Sequence, residues 1–282
     1  MIPAGTAATP SARSMLLFGS LWSLRHYPTT SREWSWRRKL AAMRAEGFDG
    51  VFAPAHPALH DRGPLRYWAA TSLGVAAEVA PAFAAAKELG ALTVNVQLGD
   101  YDSPLAEMVK LASRVRAVAR DFDLPFTIET HRDTCTETPE ATFALIQGYR
   151  RKTGEALPLC LDHSHFAVIR HLKPDTFWER LREPAELLAD CTRFHLRPFN
   201  GHHCQIPVLS ATGRRTPEYR DWQNYAAALF HHLRTEPSAD PVFVVPELGH
   251  DNPAYGLSCF GDTWHDVQTL TRDLRRLWRS SS

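Results

Sequence analysis

The segment most informative about the fold is residues 125–163, which read PFTIETHRDTCTETPEATFALIQGYRRKTGEALPLCLDH. Short runs of β-forming residues stand at its two ends, at 125–130 and 158–163. The stretch between them, 138–153, has the apolar spacing of an amphipathic helix. A strand, a helix and a second strand in this order form one βαβ unit, which places two parallel strands side by side.

The same alternation continues in both directions along the chain. We predict eight strands, at 16–23, 50–55, 66–72, 92–98, 125–130, 158–163, 193–198 and 241–247. Amphipathic helices are predicted at 32–47, 77–90, 103–121, 138–153, 175–190, 217–235 and 264–279. This pattern predicts an α/β fold, the (β/α)8 TIM barrel, as a single catalytic domain over residues 15–282. Residues 1–14 are predicted to be a flexible leader.

An open doubly wound sheet is the competing arrangement. Its nucleotide-binding form carries a Gly-x-Gly-x-x-Gly turn after the first strand, and the sequence has no such turn. We therefore favour the closed barrel.

Composition and charge exclude several classes of protein. The 282 residues carry 32 basic and 31 acidic side chains, a net charge of +1 without the basic excess of a nucleic-acid-binding protein. The five cysteines show no Cys-x-x-Cys spacing, which argues against a disulfide framework and indicates a reducing, cytoplasmic environment. No apolar run approaches the roughly 20 residues of a membrane span. We expect a cytoplasmic protein that binds a small molecule rather than nucleic acid or a membrane, and homo-oligomerisation stays open.

Four consecutive predicted strands end in a residue that can bind a metal. Glu129 closes TIE, Asp162 closes LCLD, His195 lies in RFHLRP and Glu247 closes FVVPE. Active sites of (β/α)8 barrels lie where strands run into the following loops, so these side chains should meet at one end of the barrel. Three carboxylates and one imidazole suit Mn²⁺, Mg²⁺ or Co²⁺, with Zn²⁺ as an alternative. A single strand-end carboxylate is more often a helix cap, but four in a row favour a metal site.

Other polar and aromatic residues near predicted strand ends are candidates for substrate binding. Asn95 and Gln97 alternate inward on the fourth strand and are predicted either to hydrogen-bond substrate hydroxyls or to fill the barrel. Trp22 is predicted to stack on a substrate ring or to pack in the core. His131 is predicted either to orient Glu129 or to reach the substrate.

With these residues at its strand ends, the chain resembles the xylose-isomerase-like sugar isomerases and epimerases. The resemblance rests on four motifs: Glu-x-His-Arg at 129–132, Asp-x-x-His at 162–165, His-x-Arg at 195–197 and Pro-Glu-x-Gly at 246–249. It implies that the four strand-end residues bind a divalent metal and that the two glutamates among them also act as acid and base. It further implies that His165 and Arg197 hold substrate oxygens.

The sequence departs from this pattern at the seventh strand. Arg197 stands two residues after His195, whereas the sugar 3-epimerases of the family usually place their arginine several residues further on. Residues 199–208, FNGHHCQIPV, are a local elaboration, in which His202 or His203 is an alternative ligand to His195.

Three functions remain open on these residues. The first is an isomerase or epimerase that acts on a sugar or related polyol ketone through an enediolate, with Mn²⁺ as the favoured metal. The second is a metal-dependent dehydratase of a keto-inositol or dehydroshikimate-like substrate. The third is a zinc hydrolase like the AP endonucleases. The neutral charge disfavours it, and this chain lacks the Asp-x-His expected after the seventh strand, where Gly201–His202 stands.

Overall fold

A computed structural model describes residues 13–189, 191–236, 238, 240–249 and 256–281. The predicted leader, residues 1–14, lies outside this part of the chain except for Arg13 and Ser14. Arg13 is buried, and its guanidinium donates to the carbonyl oxygens of Leu233 and Asp240 at 3.0 and 2.9 Å. Both residues are therefore attached to the body of the domain.

Eight parallel strands close into a barrel, in which each strand pairs with the next along the chain and β1 pairs with β8. The strands are β1 Met15–Ser20, β2 Gly50–Pro54, β3 Arg66–Leu73, β4 Thr93–Leu98, β5 Phe126–Glu129, β6 Leu159–Leu161, β7 Arg193–Leu196 and β8 Val242–Pro246. Each coincides with a strand predicted from the sequence. The (β/α)8 TIM barrel is thus confirmed.

Helices lie between most of the strands. They are α1 Trp36–Ala45, α2 Ala76–Glu88, α3 Leu105–Asp121, α4 Pro139–Thr153, α5 His163–Ile169, α6 Phe177–Leu181, α7 Ala185–Leu188, α8 Pro217–Thr235 and α9 Thr263–Ser280. A 3-10 turn, Pro57–Arg62, takes the place of a helix between β2 and β3. Among the described residues, no helix is both long and apolar enough to cross a bilayer.

The prediction of one helix over 175–190 is wrong. This segment consists of a 3-10 turn, Pro174–Thr176, followed by α6 and α7. Pro184 separates the two helices, because it has no backbone N–H to donate and its ring disfavours helical geometry at the residue before it. Helix α5 was not predicted, because its seven residues are too few for apolar periodicity to appear.

The interior of the barrel is filled by a separate aromatic cluster that consists of Phe18, Phe52, Trp68, Cys160, Phe243 and Val245. Trp68 is fully buried, with its ring edge-on to Phe18 at 5.6 Å. Above this cluster, the ring of His195 meets Phe52 and Trp68 edge-on, at 4.7 and 5.9 Å between centroids. The packed aromatic rings therefore form the floor on which the polar end of the barrel rests.

Candidate metal centre and active site

The four predicted metal ligands lie together at the carboxyl ends of neighbouring strands. Glu129 is the last residue of β5, Asp162 follows β6, His195 lies in β7 and Glu247 follows β8. All four side chains are buried. The parallel barrel brings them together because consecutive strands end at the same rim.

Three of these residues form a compact cluster. Glu129, Asp162 and His195 each offer one ligand atom, and these atoms lie within 4.8 Å of one another. Glu247 lies beside the cluster, with its Oε2 3.7 Å from Nδ1 of His195, while Oε1 of Glu129 is 3.0 Å from the same nitrogen. His202 and His203 are exposed, and both of their backbone N–H groups donate to the side chain of Asn200. They do not replace His195 in this cluster.

The donor set fits a divalent cation. Both ring nitrogens of His195 are buried without a hydrogen bond, although Nδ1 faces two carboxylates. A buried polar atom of this kind usually has a partner, and an ion is one of the partners that would satisfy it. Carboxylate oxygens with one imidazole nitrogen are the ligands that Mn²⁺, Mg²⁺ and Co²⁺ accept.

The electrostatics keep the carboxylate of Glu129 ionised. Burial raises its pKa, but the neighbouring charges of His195 and His131 outweigh that effect and lower the pKa to about 2. Burial lowers the pKa of His195, whereas its contacts with Cys160 and Glu129 hold it well above the usual value. The pKa of His165 lies well below its usual value, mainly because the ring is buried, so this imidazole is neutral.

Asn95 and Gln97 hold Glu129 in place. The side-chain amides of Asn95 and Gln97 donate to Oε2 of Glu129 at 2.6 and 3.2 Å. The hydroxyl of Thr127 donates to the side-chain oxygen Oδ1 of Asn95 at 3.0 Å, which fixes the orientation of that side-chain amide. Asn95 is fully buried and its hydrogen bonds are used within the protein, so its geometry is that of a positioning residue for Glu129.

Asn95→Asp is therefore expected to lower kcat by about 10- to 100-fold, the usual cost of disturbing a residue that orients a metal ligand, which is the role predicted for Glu129. The new carboxylate would face Oε2 of Glu129 and repel it, so metal affinity should fall together with kcat. Asn224→Asp, on the exposed face of α8, is the matched control and should change neither. A rise in KM at unchanged metal affinity would instead identify Asn95 as a residue that binds substrate hydroxyls.

A cavity of about 530 Å³ opens above the cluster. Its lining includes Trp22, Gln97, His131, Arg197 and both glutamates, and also contains Asn95, Phe52, Arg132 and His195. His165 lies behind this wall, buried, with Nε2 3.5 Å from Oδ2 of Asp162 and its ring 4.5 Å from that of His131. The predicted substrate-binding residues are thus divided between the cavity lining and a layer behind it.

The glycine of the Pro-Glu-x-Gly motif is required for steric reasons. A Cβ at Gly249 would lie 2.1 Å from the ring of Trp22, so only glycine leaves room for this wall of the cavity. Gln205 fixes the same glycine, since its side chain accepts from the backbone N–H of Gly249 at 2.6 Å and donates to its carbonyl at 3.1 Å. The elaboration after the seventh strand therefore supports the loop that follows Glu247.

Sequence reasoning missed Ser20, the last residue of β1. Its hydroxyl donates to Oε1 of Glu247 at 2.9 Å, across the pairing of β1 with β8. A single serine gives no signal by itself, but alternation along β1 and closure of the barrel would together place it against Glu247. His163, which follows Asp162 directly, points away from the site, and its ring nitrogen contacts the hydroxyl of Tyr225 in α8.

Comparisons with known proteins agree with the fold. No protein-family model and no curated protein matches the sequence. Among solved structures, an L-ribulose 3-epimerase matches with a TM-score of 0.64 and 14% identity over 95% of both chains. A xylose isomerase-like TIM barrel protein from Mycobacterium smegmatis, in complex with magnesium, matches with a TM-score of 0.56 and 15% identity over 94% of this chain and 98% of that one.

A probable 3-DHS dehydratase from Bacillus anthracis also matches, with a TM-score of 0.53 and 15% identity over 93% of this chain and 98% of that one. At these identities the likeness shows the fold, which is the one that the resemblance to the xylose-isomerase-like family implied. Epimerases and a dehydratase share this barrel, so the fold alone does not select the reaction.

Proposed function

We propose that this chain is a divalent-metal-dependent isomerase or epimerase that acts on a sugar or a related polyol ketone through an enediolate. The observation that carries the proposal is the pair of buried glutamates at the end of the cavity. Glu129 and Glu247 come from β5 and β8 and approach Nδ1 of His195 to 3.0 and 3.7 Å. Two carboxylates that reach one point from two strands suit the removal and return of a proton.

Glu129, Asp162 and His195, with Glu247 beside them, would hold the metal. We propose Mn²⁺ as the native ion. When bound, the ion supplies Lewis-acid polarisation of the substrate carbonyl, which makes the neighbouring C–H acidic enough to lose its proton.

The protein itself handles the proton. One glutamate removes the proton next to the carbonyl, and the other returns a proton to the enediolate. Return to the same carbon from the opposite face gives an epimer, and return to the neighbouring carbon interconverts aldose and ketose. Asn95 and Gln97 hold Glu129 during this exchange, and Ser20 holds Glu247.

The cavity lining orients the substrate. We propose that Arg197 and His131 donate to its oxygens and that Trp22 packs against its ring carbons, which excludes water from the reacting carbon. The neutral imidazole of His165 lies behind His131 and completes this wall. A volume of about 530 Å³ lies within the range of small-molecule sites and accommodates a monosaccharide. We also propose that the enzyme works in the cytoplasm.

Turnover in D₂O tests the proposal. A panel of ketoses and keto-polyols is screened with Mn²⁺-loaded protein, and the product is expected to carry solvent deuterium on the carbon next to the carbonyl. Borohydride should trap no protein adduct, because the proposed route needs no lysine imine. A lysine adduct, or product without solvent deuterium, would contradict proton transfer by the glutamates.

Dehydration is the second candidate function. The fold likeness to the probable 3-DHS dehydratase supports it, since the same carboxylate pair can remove the proton and assist departure of a β-hydroxyl. The same screen separates the two reactions, because a dehydratase product has lost one water and an isomer or epimer has not.

A further inference from the structure

Arg197 lies inside the proposed metal centre rather than at its edge. Its Nη2 donates to Oδ2 of Asp162 at 3.1 Å and to Oε2 of Glu247 at 2.8 Å. The side chain is 2% exposed, and its guanidinium stands over the ring of Trp22, 5.4 Å from the ring centroid. One guanidinium nitrogen therefore bridges two of the four carboxylate and imidazole groups that are proposed to hold the ion.

The charges of the centre are unequal. Three buried carboxylates, those of Glu129, Asp162 and Glu247, carry three negative charges. Arg197 contributes a positive charge that, unlike that of His195, does not depend on a titrating proton, because guanidinium does not lose its proton in proteins. Buried carboxylates this close together repel one another unless a cation is shared among them. Arg197 supplies that cation from within the chain.

We propose that Arg197 is the internal counter-cation of the metal centre: it keeps Asp162 and Glu247 in place when no metal is bound, and it weakens the binding of a divalent ion. This inference rests on the proposed function, because it takes the same residues as the metal ligands. A metal ion held by Asp162 and Glu247 would compete with Nη2 of Arg197 for their carboxylate oxygens, and it would meet a positive charge that repels it. Arg197 thus stabilises the site without metal and lowers its affinity for a divalent ion.

Arginine suits this role better than lysine at the same position. Its rigid planar group points Nη2 at both acceptors from a fixed direction, and the guanidinium lies over the ring of Trp22 at cation–π distance. Gly249 leaves the space that the Trp22 ring needs to lie beside the guanidinium of Arg197. The His-x-Arg spacing, unusual for the sugar 3-epimerases that the sequence resembles, therefore has a structural purpose.

The test measures binding of Mn²⁺ alone, by calorimetric titration of chelator-treated protein, with no substrate present. Arg197→Met and Arg197→Gln remove the charge, and the glutamine keeps a donor. Both are expected to bind Mn²⁺ about tenfold more tightly than the wild type, within the usual range of coupling between two sites. Their melting temperatures without metal should be lower than that of the wild type, and Mn²⁺ should raise them by a larger interval.

Two further variants separate charge from packing. Arg197→Lys keeps the charge and should bind Mn²⁺ nearly as the wild type does. Arg193→Met removes the arginine at the start of β7, which lies over the ring of Phe243 at 3.7 Å, away from the strand end that Arg197 follows. This variant should leave Mn²⁺ affinity unchanged. Should Arg197→Met fail to fold without metal, Arg197→Gln decides the question.

Unchanged or weaker Mn²⁺ binding in folded Arg197→Gln would overturn the inference while leaving the proposed function in place, provided that the wild type binds Mn²⁺. Equal tightening in Arg197→Lys would overturn it as well, because the charge would then not be responsible. Mn²⁺ binding that appears only in the charge-removing variants would support it. Absence of Mn²⁺ binding from every variant and from the wild type would overturn both proposals.

Discussion

Replacing Glu129 by glutamine is expected to lower kcat/KM by about 1,000-fold or more. The amide cannot accept a proton, so the variant loses one of the two groups proposed to exchange a proton with the substrate, an effect usually of about 10²–10⁴-fold. The glutamine also removes a negative charge from the proposed metal cluster, so its metal content should fall. The assay is turnover of the ketose identified in the screen, together with metal analysis of the purified variant.

Glu247→Gln should produce a loss of the same order, and the two variants differ in what each retains. For an epimerase, the remaining glutamate can still remove a proton from its own face of the carbon and return it there. Each variant should therefore exchange solvent deuterium into one epimer only, and the two variants should select opposite epimers. Glu140→Gln, which loses an exposed ion pair with Arg170, is the control and should keep full activity. Full activity in either active-site variant would remove that glutamate from the mechanism.

The fold was predictable because its signal repeats. Each strand is a short run of β-forming residues, and the closed barrel follows from eight such runs alternating with longer helical segments. The four predicted ligands were recognisable for the same reason: parallel strands end at one rim, so residues such as Glu129 and Asp162 meet although 33 residues separate them.

The remainder of the site depends on side-chain contacts between different strands, and the sequence pattern does not predict which side chains meet. Asn95 was predicted to face inward, but its hydrogen bond to Glu129 depends on the distance between β4 and β5. The bridge from Arg197 to Asp162 and Glu247 depends on the path of one side chain after β7. Patterns of residue type predict the direction in which a side chain points. Which partner it then hydrogen-bonds depends on differences in distance of a few tenths of an ångström.

Removal of the metal is expected to abolish turnover while the barrel stays folded. Wild-type protein treated with chelator should lose at least 1,000-fold in kcat, since Lewis-acid stabilisation of the developing charge is worth several kcal/mol. Mn²⁺ should restore activity, and Mg²⁺, Co²⁺ and Zn²⁺ serve to rank the ions. Binding to the folded state alone contributes about 2.7 kcal/mol at 100 times Kd, so saturating metal should raise the melting temperature by about 5 °C or more.

Asp162→Asn is expected to cause the same loss of metal and turnover by substitution of one predicted ligand, and the fold should survive it. Asp162 also caps α5, because its Oδ1 accepts from the backbone N–H of Ser164 at 3.0 Å, and asparagine caps helices about as well as aspartate. The variant should therefore lose metal and turnover while it still folds, although it loses the buried hydrogen bond that Oδ2 accepts from Arg197 and should melt at a lower temperature. Asp262→Asn changes another capping aspartate, at the start of α9 and outside the cluster, and should keep both metal and activity. Full metal content in Asp162→Asn would show that the ion lies elsewhere, because the substitution keeps the cap and changes the charge, the ligand oxygen and the acceptor of the hydrogen bond from Arg197.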